Sequence, residues 1–197
     1  MATNTVHIDS HAASTLRYIR ASMEAATSLA VPGSAGYAMG TVGIVAAVLA
    51  SNSSLESHWL PIWLVAAVVA ASVGTVLVFR PASLRILTAT SSPARKFALC
   101  LVPAPFGGAV MTAVLWANGL LAVIPGTWLL FYGCGLIAAS VATNARIAVM
   151  GALFVALGLI AFATPAPMHS WLLGLGFGGL HLLFGFLIGR SSHGTES

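Results

Sequence analysis

Residues 59–79 of the chain read WLPIWLVAAVVAASVGTVLVF and contain no charged side chain. A helix needs about 20 mostly apolar residues to cross the hydrocarbon core of a bilayer, so this stretch is long enough to span a membrane. Polar and apolar residues do not alternate in it, which favours a spanning helix over a strand of a membrane barrel. Five further stretches have the same character: residues 34–51, 97–117, 125–143, 147–164 and 170–189. The sequence therefore predicts an all-α membrane protein with six transmembrane helices.

The composition of the whole chain agrees with this prediction. Of its 197 residues, 58% are hydrophobic and only 6% are charged, whereas an average soluble domain carries roughly 25% charged residues. Eight scattered basic residues form no patch for a nucleic acid, and two cysteines are too few for a disulfide scaffold or a cysteine-rich zinc site. The composition therefore excludes a soluble enzyme and a nucleic-acid partner, and it indicates no metal site.

The basic residues predict the orientation of the spans. All eight lie before the first span, after the sixth, or in the loops that follow the second and fourth spans, which places them on one side of the membrane. Because Lys and Arg are enriched in cytoplasmic loops, we expect both termini in the cytoplasm. The tryptophans support this orientation, because all five lie near the opposite ends of the spans, where indole rings favour the membrane interface. They are Trp59, Trp63, Trp116, Trp128 and Trp171.

The chain divides into a cytoplasmic segment of residues 1–33, a transmembrane domain of residues 34–190 and a cytoplasmic tail of residues 191–197. Residues 10–29 of the first segment predict an amphipathic helix, with Leu16, Ile19 and Met23 on its apolar face. This helix either lies on the membrane surface or packs beneath the bundle as a lid. Five bases are candidates for contact with lipid headgroups: Arg17, Arg20, Arg85, Arg95 and Lys96.

Four short motifs carry a resemblance to a group of membrane proteins. They are TLRYIR at residues 15–20, AVPG at 30–33, RKFA at 95–98 and GGLH at 178–181. With these motifs the chain resembles an uncharacterised bacterial family of small six-span integral membrane proteins. The resemblance implies a location in the bacterial cytoplasmic (inner) membrane and no particular activity.

The positions of the acidic residues argue against several membrane chemistries. Asp9, Glu24, Glu56 and Glu196 are the only acids, and none of them lies inside a predicted span. Proton-coupled transport through membrane carboxylates and intramembrane aspartyl proteolysis both need acids within the bilayer. The sequence therefore predicts a protein with no catalytic residues rather than an enzyme.

His181 is the one histidine near the middle of a predicted span. It lies about eleven residues into the sixth span, roughly 16 Å deep and close to the bilayer midplane. A residue of this kind is a functional hypothesis by default, and it could hold a ligand or relay a proton. It could also bind a haem iron, with Met111, Met150 or a second copy of the chain supplying the other ligand. Apart from this haem hypothesis, we expect no cofactor.

His181 could instead be a core residue with a hydrogen-bond partner on a neighbouring span. The candidate partners are Thr112, Thr127, Tyr132 and Ser140. His58 and His169 differ from His181, because both are predicted at the outer interface, where water can satisfy a histidine.

Prolines and glycines mark the remaining candidate sites. Pro103 and Pro105 fall inside the third span, and each removes a helical hydrogen bond. Because such a break is tolerated only against protein or a cavity, the third span is either the wall of a binding site or simply kinked. Gly174 and Gly178 form a small-x-x-x-small pair in the sixth span, a spacing that lets helices approach closely. They serve either packing within one bundle or a homodimer face.

Two functions are compatible with these observations. The first is a non-enzymatic accessory or regulatory membrane protein that binds a partner protein or a lipid. The second is a small, dimeric transporter or channel that uses the kinked third span and His181. The lack of acids within the spans and the short outer loops favour the first function, whereas the proline break and the deep histidine favour the second.

Overall fold

The computed structural model describes residues 15–16, 29–52, 55–79 and 93–193. Most of the predicted amphipathic helix lies outside these ranges. Arg17, Arg20, Arg85 and residues 194–197 lie outside them as well. Within the described ranges every regular element is a helix and no strand occurs.

Six helices in this part of the chain are long and apolar enough to cross a membrane. Each predicted span corresponds to one of them, with ends that differ by only a few residues, so the prediction of six spanning helices is confirmed. In chain order, spans one to six are Gly33–Ala50, Trp59–Phe79, Pro93–Ala117, Leu121–Ala142, Ala145–Ala163 and Ala166–Arg190.

Span three consists of two helices, Pro93–Leu101 and Pro103–Ala117, which are separated at Val102. Because Pro103 and Pro105 have no backbone N–H, the carbonyl groups four residues before them lose the donors that an uninterrupted helix would supply. The interruption is confined to Val102, which keeps α-helical dihedral angles and donates its N–H to the carbonyl of Ala98.

Span six is irregular in a way that no sequence pattern predicted. Its central residues Gly174–Leu180, GLGFGGL, form a π-helical segment. This segment lies between the α-helices His169–Leu173 and His181–His193. Its turns are wider than those of an α-helix because the hydrogen bonds run from residue i to i+5, and such segments are frequent at functional sites. The wide turns carry Phe177 and lead directly into His181.

The spans form two groups that meet at span six. Span one packs between spans two and six, and span four packs between spans three and five, while span six also contacts spans four and five. Span two packs closely against span one, and against no other span in the described part of the chain. A gap is therefore left between spans two and three.

Aromatic pairs lie at both ends of span two, one across this gap and one toward span four. At the end that is predicted to be cytoplasmic, Phe79 of span two and Phe97 of span three have ring centroids 6.5 Å apart. At the opposite end, Trp59 of span two and Trp128 of span four have ring centroids 6.4 Å apart. The space between spans two and three is consequently bounded above and below by rings.

The glycines of span six lie at its contact with span one. A Cβ atom on Gly178 would meet Cδ1 of Ile44 at 2.6 Å, and one on Gly174 would meet Cβ of Ala47 at 2.6 Å. The small residues thus allow close packing inside one bundle, which was one of the two interpretations from the sequence. The alternative, a homodimer face on span six, would have to use other residues, because span one of the same chain covers Gly174 and Gly178.

His169 differs from its prediction. Its side chain is buried, and Nε2 lies 3.1 Å from the carbonyl oxygen of Ala161 and 3.0 Å from that of Thr164. These carbonyl groups lie at the end of span five, where the helix supplies no further N–H donors. Two backbone carbonyl groups therefore take the role that water was expected to play as the partner of His169. His58, in contrast, is exposed.

Candidate functional site

A cavity of about 410 Å³ occupies the gap between spans two and three, and residues of the other four spans complete its walls. A volume of this size falls within the range of roughly 300–1,000 Å³ that is typical of ligand pockets. The wall that span two contributes is built largely from small residues. They are Ala66, Ala67, Ala70, Ala71 and Gly74.

The cavity lies at the depth of the hydrocarbon core. Its lining along span two runs from Trp63 to Phe79, a rise of roughly 24 Å at 1.5 Å per residue. This distance is most of the roughly 30 Å thickness of the hydrocarbon core. No Asp, Glu, Lys or Arg is present among the described residues that line it. A molecule that fits this space is therefore mostly apolar and uncharged.

His181 lines the cavity and is only 4% exposed. Its Nε2 lies 2.9 Å from the hydroxyl oxygen of Tyr132 in span four, so the structure selects Tyr132 from the four predicted partners. The other three donate their hydroxyl hydrogens to backbone carbonyl groups: Thr112 to Gly108, Thr127 to Val123 and Ser140 to Ile137. A histidine at this depth thus has a side-chain partner on one ring nitrogen.

The second ring nitrogen of His181 has no such partner. The carbonyl groups of Gly176 and Phe177, which precede His181 in the same span, are the acceptors that face Nδ1, although neither meets strict hydrogen-bond geometry among the described residues, and Nδ1 itself is fully buried. When the Tyr132 hydroxyl donates to Nε2, Nδ1 carries the proton and is the single unsatisfied group. The opposite tautomer would leave both the tyrosine hydrogen and Nδ1 unsatisfied. Hydrogen bonding therefore assigns Nδ1 as an N–H donor.

Trp63 also lines the cavity, and its indole nitrogen is buried within the wall. Its side chain is 3% exposed, and its indole N–H meets no acceptor among the residues that the structure describes. Because an indole nitrogen can only donate, the partner it lacks is an acceptor. The sequence placed Trp63 in the interfacial belt with the other tryptophans. Trp63 lies one turn after Trp59, as that prediction requires, but its side chain faces the interior of the bundle.

Phe177, in the π-helical segment, connects these two groups. Its ring centroid lies 6.3 Å from that of Trp63 and 6.3 Å from that of His181. Tyr132 contacts the same ring at 5.2 Å. The rings of Trp63, Tyr132 and His181 therefore form one aromatic cluster around Phe177.

The other predicted site residues lie in different places. Pro105 lines the cavity, whereas Pro103 does not. Arg95 and Lys96 are exposed at the start of span three, and the three remaining candidate lipid-contacting bases lie outside the described residues. The structure thus brings His181 and Pro105 to one cavity.

The haem hypothesis finds little geometric support here. Nε2 of His181 is engaged by Tyr132, so an iron ligand at that nitrogen would displace an existing hydrogen bond. Met150 lines the same cavity as His181, but Met111 does not. In the described ranges no group of three or more His, Cys, Asp or Glu side chains is arranged to hold a metal ion.

The fold and the cavity together define a helical multi-pass membrane protein with a mostly apolar space inside its bundle. No family model, curated protein or solved structure matches the chain. The cavity and its polar groups are therefore the features that indicate a function.

Proposed function

We propose that this chain is a non-enzymatic accessory or regulatory protein of the bacterial inner membrane that binds a lipid or another lipid-soluble molecule. Both of its termini lie in the cytoplasm in this proposal. The observation that carries it is the cavity between spans two and three, which lies at hydrocarbon depth and has mostly apolar walls.

The position of the cavity favours a ligand that arrives from the bilayer. Rings connect spans two and three at one membrane end and spans two and four at the other, while spans two and three do not pack closely in the part of the chain that is described. A lipid-soluble molecule can approach between these two spans without crossing a polar surface. Because acyl chains are as apolar as the cavity walls, shape and the few polar groups must supply the selectivity.

The chemistry of the lining favours binding over catalysis. Within the described cavity wall, no carboxylate, lysine, arginine, cysteine or serine is present. His181 and Tyr132 are bonded to each other, and no third group orients either of them toward a reacting atom as a catalytic base requires. These groups can hold and orient a ligand.

A cavity-filling variant tests this proposal. Ala70→Phe places a ring in the cavity from the middle of span two, and Val68→Phe is its matched control, because Val68 is 67% exposed and does not line the cavity. Both proteins and the parent are purified from native membranes, and their retained lipids are measured by mass spectrometry. We expect Ala70→Phe alone to lose a species that the other two retain. Identical lipid content in all three proteins would overturn the proposal.

Copurification from native membranes tests the accessory role. We expect the parent protein to remain in a larger complex with a membrane partner after mild solubilisation. If the protein is isolated without a partner under conditions that preserve other membrane complexes, the accessory role is contradicted. Ligand binding would then serve a different role.

A second candidate function, a small dimeric transporter or channel, is favoured by one observation. The broken span three and the π-helical segment of span six both border the cavity, through Pro105 and Phe177. Transporters use broken helices of this kind at their binding sites. In this alternative the purified protein forms dimers and moves its ligand across the bilayer of a proteoliposome. Retention of a ligand without any flux would favour the binding protein.

A further inference from the structure

The cavity between spans two and three is open along one side. Val102 and Ala109 of span three line the cavity, and both are exposed. On the facing edge, Ala67 and Ala71 of span two also line the cavity and are exposed. Because these edges belong to membrane-spanning helices, the hydrocarbon of the bilayer has direct access to the cavity.

The cavity is long and narrow. Its lining follows span two from Trp63 to Phe79, which is roughly 24 Å at 1.5 Å per residue. Dividing the volume of about 410 Å³ by this length gives a mean cross-section of roughly 17 Å², the area of a circle about 5 Å wide. Carbon atoms in contact lie about 3.5–4.0 Å apart, whereas a helix with its side chains is about 10 Å wide. The space therefore fits one hydrocarbon chain and excludes a further helix.

The polar side chains deep in the cavity wall are already buried or hydrogen-bonded. Nε1 of Trp63 and Nδ1 of His181 are fully buried within the wall. The hydroxyl group of Tyr132 is bonded to Nε2 of His181, and that of Thr112 accepts a hydrogen bond from Nε1 of Trp128. The part of a ligand that fills this space is therefore hydrocarbon, and any polar group of the ligand lies outside it.

A positive charge lies in line with the open edge of the cavity. Arg95 is exposed near the start of span three. It precedes Val102 by seven residues, as Val102 precedes Ala109, and residues seven apart share one face of a helix. The helical direction is kept between them, because Val102 has α-helical dihedral angles. Arg95 therefore lies on the face of the two exposed cavity residues, about 10 Å from Val102 toward the membrane end.

This position suits the phosphate group of an anionic phospholipid. A guanidinium group can bind phosphate oxygens through two parallel hydrogen bonds. Lys96 adjoins Arg95 and is also exposed, so two bases lie at this end of span three. Glu56 is the only acid in the described ranges, and it precedes span two, at the opposite end of the bundle. An ammonium headgroup therefore has no carboxylate partner in the part of the chain that is described, which favours an anionic lipid over a zwitterionic one.

We infer that the cavity holds one acyl chain of an anionic phospholipid whose phosphate group binds Arg95. The second acyl chain remains in the bilayer, because the cavity is wide enough for one chain and open along its side. This inference rests on the proposed function and specifies the ligand of the same cavity. It involves binding alone, without a chemical step.

The experiment uses four probes that share an oleoyl chain: dioleoyl phosphatidylglycerol, dioleoyl phosphatidylcholine, dioleoylglycerol and oleate. The full-length protein, freed of native lipid, is placed in detergent micelles that contain each probe at a series of mole fractions. The increase in Tm with mole fraction gives the affinity, because a ligand that binds the folded state alone stabilises it by mass action. We expect phosphatidylglycerol to bind at least about fivefold more tightly than each of the others, since it alone combines an anionic phosphate with two chains.

Two variants address the two ends of the ligand. Arg95→Gln removes the charge and should weaken the binding of phosphatidylglycerol about fivefold, whereas Arg95→Lys keeps the charge and should weaken it less. Ala70→Phe fills the cavity and should abolish binding at this site. Arg190→Gln is the control and should have no effect, because it removes a base from the same membrane end whose guanidinium group lies 5.5 Å from the ring of Phe186, outside the cavity lining.

The double variant tests whether a single molecule occupies both places. If one lipid does, Arg95→Gln should weaken binding less in the Ala70→Phe protein than in the parent, because coupled sites are not additive. Equal effects in the two backgrounds would mean that the base and the cavity bind separate molecules, which would overturn the inference. If Ala70→Phe fails to fold, Ala109→Trp takes its place, because it obstructs the exposed edge of the cavity without entering the packed interior.

The probes separate this inference from the proposed function. Equal affinity for dioleoylglycerol and phosphatidylglycerol would overturn the role of Arg95 and leave a cavity that binds apolar chains. Tighter binding of phosphatidylcholine or of oleate than of phosphatidylglycerol would contradict an anionic phospholipid as the ligand. No stabilisation of the parent protein by any of the four probes would count against both the inference and the proposed function.

Discussion

The hydroxyl oxygen of Tyr132 in span four lies 2.9 Å from Nε2 of His181 in span six. This hydrogen bond connects two spans that are far apart in the chain, and both of its residues line the cavity. It thereby fixes the position of the imidazole ring in the cavity wall. The candidate site consequently depends on a residue outside the sixth span as much as on His181 itself.

Removal of the tyrosine hydroxyl should destabilise the bundle. Tyr132→Phe keeps the ring but leaves Nε2 of His181 buried without its partner, at a cost of about 1–3 kcal/mol. The free energy of unfolding in detergent measures this loss. Tyr37→Phe is the matched control, since Tyr37 is 43% exposed on span one and the same change there should have little effect. Equal stability of both variants would mean that the Tyr132–His181 bond contributes nothing.

Two substitutions of His181 should differ in stability. His181→Leu leaves the Tyr132 hydroxyl unpaired, which costs about 1–3 kcal/mol, whereas His181→Gln retains a group that can bond it. We therefore expect His181→Leu to unfold more readily than His181→Gln in the same detergent titration. A His181→Leu protein as stable as the parent would contradict a buried hydrogen-bonded histidine at this position.

The contact between spans one and six should not tolerate a methyl group. A Cβ atom on Gly36 would lie 2.7 Å from Cα of Gly185 and 2.7 Å from the carbonyl oxygen of His181, whereas one on Gly189 would meet nothing within 4 Å. Overpacking of this kind typically costs about 1–3 kcal/mol. We expect Gly36→Ala to lower the free energy of unfolding and Gly189→Ala to leave it unchanged or slightly raised. The reverse order would argue against the packing of these two spans.

Reporter fusions test the orientation. All eight bases lie on one side of the predicted topology, and Lys and Arg are retained in the cytoplasm. A reporter after Ser197 should be active on the cytoplasmic side, and one inserted at residues 118–120 should be active on the outer side. Reporters that indicate the same side for both positions would overturn this orientation.

The basic residues near span three should bind anionic lipid. Each base close to a charged membrane surface contributes about 1 kcal/mol to the binding of anionic lipid. The triple substitution Arg85→Gln, Arg95→Gln and Lys96→Gln should therefore reduce the phosphatidylglycerol that the purified protein retains. The control exchanges the same residues as Arg85→Lys, Arg95→Lys and Lys96→Arg, which keeps every charge. Equal lipid retention in both triple variants would assign these bases to topology alone.

Much of the fold could be predicted from the sequence because its determinants are local. The length and apolar character of each span are properties of about 20 consecutive residues, and the break in span three follows from the missing N–H groups of Pro103 and Pro105. The depth of His181 likewise follows from its position along one helix. Small residues also recur along one face of span two, from Ala66 to Gly74, and this pattern could have indicated a cavity wall.

The tertiary structure alone decided which faces of the helices meet. Nearly every face of these spans is apolar, so no amphipathic pattern distinguishes the side that faces lipid from the side that faces protein. For this reason the sequence could not show that Trp63 is buried, that Gly174 and Gly178 pack on span one, or that the gap lies beside span two. The hydrogen bond between Tyr132 and His181 depends on the packing of spans four and six, which only the three-dimensional arrangement determines.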